Sequence, residues 1–265
     1  MQVSILGIGW LGLPLAQSLL QKGFKVKGSV TSAEKLELVK EHNIIPYQVS
    51  LTANTVEGDI ANFLSKSEVL IINIPPKLRN ADSESFTDKI KTLIPYIEQS
   101  GIEKVLFVSS ISVYGEKNTG MVTEDTIPFP DTESGKQLLE TEKLLSGNNK
   151  FKTSLLRFAG LIGGERHPVY HLAGKENLPN PNAPVNLIDR KDCIAVIEAI
   201  IEKNTWGETF NAASPEHPTR KEYYTKKAEE LNLTVPTFLT DDKKEGKIIS
   251  SEKITSVLGH PFNNL

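Results

Sequence analysis

Gln2–Gly23 reads QVSILGIGWLGLPLAQSLLQKG, a short apolar strand that runs into Gly7-x-Gly9-x-x-Gly12 and then a helix. Val3, Ile5 and Leu6 supply the buried strand. Gly7 allows a tight turn, Gly9 lets backbone N–H groups approach an anion, and Gly12 lets the helix lie close on the sheet. The helix then begins with free N–H groups and its positive dipole end aimed at that anion. A glycine-rich turn could share the spacing alone, but strand, glycines and helix in this order suit a dinucleotide pyrophosphate. Trp10 and Leu11 lie inside the turn and count among the cofactor contacts, with Trp10 expected to pack beside its apolar neighbours Leu11 and Leu13.

The next strand, Phe24–Val30, bears on which dinucleotide is bound. A site for NAD would place Asp or Glu near the end of that strand for the ribose hydroxyls. This chain has Ser29-Val30-Thr31-Ser32, followed by Glu34 and Lys35. Hydroxyls, a new helix N-terminus and a lysine suit a 2′-phosphate better than a carboxylate would, which favours NADP over NAD. Thr31 can also cap the following helix, with Glu34 completing a capping box.

Bulk properties narrow the remaining classes. The 265 residues carry a formal charge of −3 with acids and bases interspersed, which offers no face for nucleic acid or membrane. No apolar run reaches the length of a bilayer span, and the start lacks the basic residues and cleavage site of a signal peptide. A cytoplasmic protein with a small-molecule partner, as a monomer or homodimer, is the expectation. Cys193 stands alone in a helical apolar pattern and reads as core. The five histidines lack metal-ligand spacing, so no metal is expected.

Strands and helices alternate along the chain, which argues for a doubly wound parallel α/β sheet of about seven strands, a Rossmann architecture. Ile44–Val49 is the third strand. Val69–Ile74 is the fourth and ends at Pro75-Pro76, which places Ile74 and Pro75 at the cofactor edge. Phe86–Gln99 reads as a helix kinked at Pro95. Lys104–Ser110 and Thr153–Ala159 are the fifth and sixth strands, Asp192–Lys203 a helix, Glu208–Ala212 a last strand and Arg220–Leu231 a helix. Glu165–Pro184 interrupts the alternation with Pro, Asn, Gly and His. The expected division is a nucleotide-binding unit of 1–160 plus about 185–212, and a small C-terminal substrate-side subdomain of 161–184 plus 213–265.

Val105–Gly115, VLFVSSISVYG, resembles the fifth strand and following turn of the extended short-chain dehydrogenase/reductases, the NAD-dependent epimerase/dehydratase group. LLRFAGLIGG (155–164) is similar to that family's R-P-x-x-x-Y-G segment, with Ala159 and Ile162 in place of Pro and Tyr. VNLIDRKD (185–192) resembles the segment introducing its late core helix, and ETFNAASPEHPTRKEYY (208–224) its final strand and return helix. The resemblance runs from Val3 to about Leu231.

It implies a Ser, Tyr and Lys machinery, in which a phenol exchanges a proton while nicotinamide exchanges a hydride. By motif the serine is Ser110 and the lysine Lys136, near the nicotinamide and its ribose, with Glu140 one helical turn later. The tyrosine position, four before Lys136, holds Thr132, whose hydroxyl is far less acidic than a phenol. The displaced acid or base is sought in Tyr114, His167, Tyr170 or His171. Asp131 and Glu133 read as caps of the helix carrying Lys136, Asp192 as a capping or salt-bridging residue, and Arg157 as structural.

Three functions fit. One is an NAD(P)-dependent oxidoreductase or epimerase for a sugar nucleotide or another small hydroxylated or carbonyl metabolite. Another is a non-catalytic NADP-binding regulator or sensor, in keeping with the threonine at position 132. The third is a β-hydroxyacid dehydrogenase, whose opening GIGWLGLPLAQSLLQKGFKVKG also resembles but which continues into a mostly helical second domain.

Overall fold

The computed structural model describes residues 1–78, 83–240 and 246–265. The first half alternates β1 (Gln2–Leu6), α1 (Gly12–Gln21), β2 (Lys25–Val30), α2 (Glu34–Glu41), β3 (Ile45–Leu51), β4 (Val56–Gly58), α3 (Ile60–Leu64), β5 (Val69–Ile72) and α4 (Phe86–Ser100). The second half adds β6 (Lys104–Ser110), β7 (Gly120–Val122), α5 (Glu133–Ser146), β8 (Lys152–Phe158), β9 (Gly160–Ile162), α6 (Val169–Leu172), β10 (Leu187–Asp189), α7 (Arg190–Glu202), β11 (Thr209–Ala212), α8 (Arg220–Glu230) and β12 (Lys247–Ile249).

Eight strands form the main sheet in the order β11-β8-β6-β5-β1-β2-β3-β4. All neighbours are parallel except the β3/β4 pair. The parallel interior explains why β5 is VLII without alternation, since helices cover both faces and both need apolar side chains. The strand order reverses between β1 and β5, so a crevice opens beyond their carboxyl ends, where the glycine turn begins.

The sheet has one strand more than expected. β4 spans three residues with two of them exposed, too short to show a period, and it pairs antiparallel to β3 through Val49, Ser50 and Leu51. Glu208–Ala212 closes the main sheet as β11 but is not the last strand, because β12 pairs with β7 in a small separate sheet. α4 runs on through Pro95 to Ser100, and Gly101 ends it in the left-handed conformation. The mostly helical second domain of a β-hydroxyacid dehydrogenase is not seen, because β8 and β11 extend the same sheet.

A second, smaller apolar cluster gathers Ile162, Val169, Val185, Leu187, Tyr223, Tyr224 and Ala228, beside the interrupted segment and α8. The tail touches both clusters: Ile249, Ile254 and Leu258 are buried in the principal core, while Leu265 packs against the smaller one.

Several caps differ from expectation. α2 has Ala33 at its N-cap and no side-chain cap, so Thr31 and Glu34 form no capping box. α5 is capped by Thr132, whose Oγ1 accepts from Gly135 N at 3.1 Å, and not by Asp131 or Glu133. Asp131 accepts from Glu116 N, and Glu133 from Gln137 Nε2. α7 is capped by Asp189, while buried Asp192 accepts from His260 Nε2 and from the backbone and side chain of Asn263.

Candidate functional site

The glycine turn is held from both flanks. Gly7 N donates to Ser29 Oγ at 3.0 Å and Ile8 N to Ser29 O at 2.9 Å, from β2. From β5, Asn73 N donates to Leu6 O and Asn73 Nδ2 to Gly7 O. Gly7 has φ +107°, and a Cβ there would stand 2.6 Å from Asn73 O, so only glycine fits. At Gly12 an added Cβ would run into Gly7 O, which is the close helix–strand approach that the motif requires.

Gly9 is different. No heavy atom lies within 4 Å of a Cβ built there, and its φ is outside the left-handed region. Neither crowding nor backbone strain demands glycine at this place. What a side chain would fill is the open approach to the start of α1. Among the described residues, no hydrogen-bond acceptor meets the N–H groups of Trp10, Leu11 and Gly12, and Leu11 provides no side-chain cap. Three aimed donors without partners and an open glycine fit a pyrophosphate.

The sequence-derived candidates around this turn divide into two sets. Ser29 is buried, and its hydroxyl is occupied by Gly7 N, so it shapes the turn from below instead of facing a ribose. Leu11 is buried in the core and offers only its backbone. Thr31 and Lys35 are exposed and Ser32 half-buried at the end of β2, open to a ligand. Ile74 packs against Gly7, and Pro75 is exposed next to it. Asn73 was missed by sequence reasoning. Its signal is its position directly after β5, at the reversal of the strand order.

Ser110 ends β6 half-buried, and its Oγ accepts from Ser112 N at 3.2 Å, capping a 3-10 turn over Ile111–Tyr114. Lys136 is exposed in the first turns of α5. A Cβ on Gly135 would stand 2.6 Å from Ser112 O, so the start of α5 presses on the turn that Ser110 begins. Ser110 and Lys136 therefore stand on touching segments. Thr132 is exposed, but its hydroxyl is engaged as the α5 cap.

Tyr114 is a correction. It has 0% exposure and cannot meet a substrate. Its hydroxyl accepts from Arg157 Nη1 at 2.7 Å and lies 2.8 Å from Asn211 Oδ1 and 3.0 Å from Thr123 O, two acceptors for its one proton. Arg157 in turn grips Glu142 through Nε and Nη2, and Glu142 also accepts from Ser109 Oγ. Burial raises the phenol's pKa, more than the nearby guanidinium lowers it. The group stays neutral and ties β6, β8 and β11 together.

His167 and Tyr170 border a cleft of about 380 Å³, along with Gly163, Arg166, Asp189 and Tyr223. Both nitrogens of His167 are engaged, Nδ1 accepting from Val169 N and Nε2 lying 3.0 Å from Tyr223 Oη. Burial, then the Lys227 charge, lowers its pKa to about 4, so the ring is neutral near pH 7. Tyr170 is exposed at the cleft, and His171 is exposed at the end of α6. Cys193 is free and buried in the core. Among the described residues, no group of three His, Cys, Asp or Glu could hold a metal, and no helix is long and apolar enough to cross a membrane.

The NAD(P)H-binding family matches residues 7–204, from the first glycine of the turn to the end of α7. The chain belongs to that family. It is 33% identical over 263 residues to Protein YeeZ of Escherichia coli (strain K12), covering 98% of this chain and 95% of that one. Against UDP-glucose 4-epimerase of Bacillus subtilis it is 27% identical over 201 residues, 67% of this chain and 57% of the epimerase. The solved structure of UDP-glucuronic acid 4-epimerase from Bacillus cereus in complex with NAD superposes with a TM-score of 0.81 at 18% identity, covering 100% of this chain and 93% of that one. That likeness carries the fold alone: a doubly wound, mostly parallel sheet.

Proposed function

We propose that the chain is an NAD(P)-dependent oxidoreductase or epimerase for a sugar nucleotide or another small hydroxylated or carbonyl metabolite, and that it takes NADP in preference to NAD. The observation that carries the reading is the glycine turn at the reversal of the sheet, with Gly9 open and three N–H groups free. The substrate class draws on the epimerases it resembles. The NADP preference rests on Thr31, Ser32 and Lys35 after β2, whose end carries hydroxyls in place of the carboxylate of an NAD site.

The bound nicotinamide would supply hydride chemistry. The chain's own part is to orient and to manage a proton. In this reading Ser110 orients the reacting hydroxyl or carbonyl, and the exposed Lys136 ammonium holds the nicotinamide ribose. Thr132 is excluded as the proton carrier by its pKa and by its bond to Gly135 N. His167 has both nitrogens occupied, which leaves Tyr170 as the phenol open to the cleft.

A screen of nucleotide sugars and simple carbonyl compounds tests this, following NADPH absorbance and epimerised product. Ser110→Ala and Lys136→Ala are expected to slow turnover by about a hundredfold or more. Wild-type turnover in both variants would refute the assigned roles, and clearly tighter binding of NAD would refute the NADP preference. A second reading, cofactor binding without turnover, is favoured by the burial of Tyr114 and the capping role of Thr132. Tight binding with no turnover across the panel would select it.

A further inference from the structure

Two guanidinium groups share the indole ring of Trp10. Arg166 Cζ stands 4.9 Å and Arg190 Cζ 5.0 Å from the ring centroid. They reach it from different elements. Arg166 closes a two-residue hairpin, in which Gly163 N donates to Arg166 O at 3.0 Å and Arg166 N to Gly163 O at 3.2 Å. Arg190 is the first residue of α7, and its Nη1 lies 3.5 Å from Trp10 O.

The carboxylate nearest this corner is Asp189, whose Oδ1 accepts from Lys191 N as the α7 cap. Arg157 has Glu142, but among the described residues neither Arg166 nor Arg190 has a carboxylate within ion-pair distance. Arg190 also occupies the N-terminal end of a helix, where a cation is disfavoured. The beginning of α1, with its unpartnered N–H groups, adds a second positive pole at Trp10 itself. Stacking on one ring holds two like charges together, and cation–π attraction at a half-exposed site is weak compensation for that. Two arginines without an ion-pair partner beside the open N-terminus of α1 mark a place for a doubly charged ligand.

We propose that Arg166 and Arg190, held on Trp10 of the glycine turn, grip the pyrophosphate of the bound dinucleotide. The proposal rests on the dinucleotide reading above and adds to it the residues that grip the phosphates from outside the motif. The planar guanidinium forks bind phosphate oxygens in pairs, while the ring fixes their planes. Arg166 also borders the cleft that holds His167 and Tyr170, so gripping the cofactor orders one wall of that cleft.

The test uses the full chain carrying Trp206→Phe, so that Trp10, the other of its two tryptophans, reports alone. Calorimetric titrations of ADP-ribose, NADP, NAD and adenosine are compared among this protein, Arg166→Gln and Arg190→Gln. Each arginine variant is expected to bind ADP-ribose and the dinucleotides about tenfold or more weakly, with adenosine changed less than about twofold. Inorganic pyrophosphate should quench Trp10 in the parent and not in either variant, a readout that needs no cofactor. Unchanged dinucleotide affinity in both variants overturns the clamp and leaves the function reading standing. Failure of the parent to bind any dinucleotide, with pyrophosphate still quenching Trp10, overturns the function reading and leaves an anion clamp. An absence of quenching by pyrophosphate and by dinucleotide alike overturns the clamp even if a variant fails to fold.

Discussion

Gly9→Ala and Gly12→Ala make the same chemical change three residues apart, and opposite results are expected. At Gly12 the new methyl would lie under 3.0 Å from Gly7 O and 3.1 Å from Asn73 Nδ2. Neither can swing aside, since Gly7 is fixed by Ser29 and Asn73 is tied to Leu6 O. Relief requires α1 to back away from the sheet, loosening the buried Leu15, Ala16 and Leu19. Overpacking of this kind costs about 1–3 kcal/mol. At about 2–4 °C per kcal/mol for a chain of this size, the melting temperature should drop by roughly 2–12 °C.

At Gly9 the methyl meets nothing, and the backbone conformation is open to alanine. The fold should keep its stability or gain about 0.4–1 kcal/mol from the stiffer unfolded chain. The same methyl stands where the phosphates approach, so dinucleotide affinity should fall by at least about tenfold, or 1.4 kcal/mol. Thermal melts by circular dichroism and calorimetric titration with NADP and NAD read the two effects separately. A well-folded Gly9→Ala protein that binds as the wild type does would refute the argument for an open phosphate approach. Wild-type melting of Gly12→Ala would refute the close-packing argument.

Breaking the buried Arg157–Glu142 pair with Glu142→Gln should cost about 3–5 kcal/mol in urea unfolding, because it strands a guanidinium 6% exposed in the core. A loss under about 1 kcal/mol would show that the network is relaxed by water. His167, neutral in the fold with a pKa of about 4 and an ordinary value of 6.5, gives a second expectation. Between those values the unfolded chain binds more protons, so its stabilising contribution is full above pH 6.5 and declines as pH falls toward 4. About 3 kcal/mol should disappear over that interval, and His167→Gln should flatten this part of the stability–pH curve. An unaltered curve in the variant would assign the acid sensitivity elsewhere.

Local sequence patterns carried most of the fold. Mainly apolar runs of four to seven residues marked β1, β5, β6 and β8 to within two residues, because a strand covered on both faces needs apolar side chains on both and keeps only a few partnered polar ones such as Ser109 and Arg157. The glycine spacing placed the turn, because Gly7 and Gly12 answer contacts set by the strand and helix beside them. β4 escaped notice since three residues with one buried position carry no period. Caps were read one to three positions off: any Ser, Thr or Asp near a helix start can accept an N–H, and the chain's entry angle selects among them. That is how Thr132, not its acidic neighbours, came to cap α5.

What the sequence by itself determined, then, is the nucleotide-binding sheet, the turn at its opening and the order of the elements. These follow from the local periodicity and glycine geometry of single segments. Tertiary structure alone decided the fate of the polar side chains. Tyr114 follows Ser110 in a motif that suggests chemistry, yet its phenol is drawn inward by Arg157 and Asn211, 43 and 97 residues away in sequence. Trp10 packs on the core beside Leu11 and Leu13 as expected, but its ring also bears Arg166 and Arg190, more than 150 residues away in sequence. A hydrogen bond or a charge is settled by which distant group arrives within reach, and no local period records that.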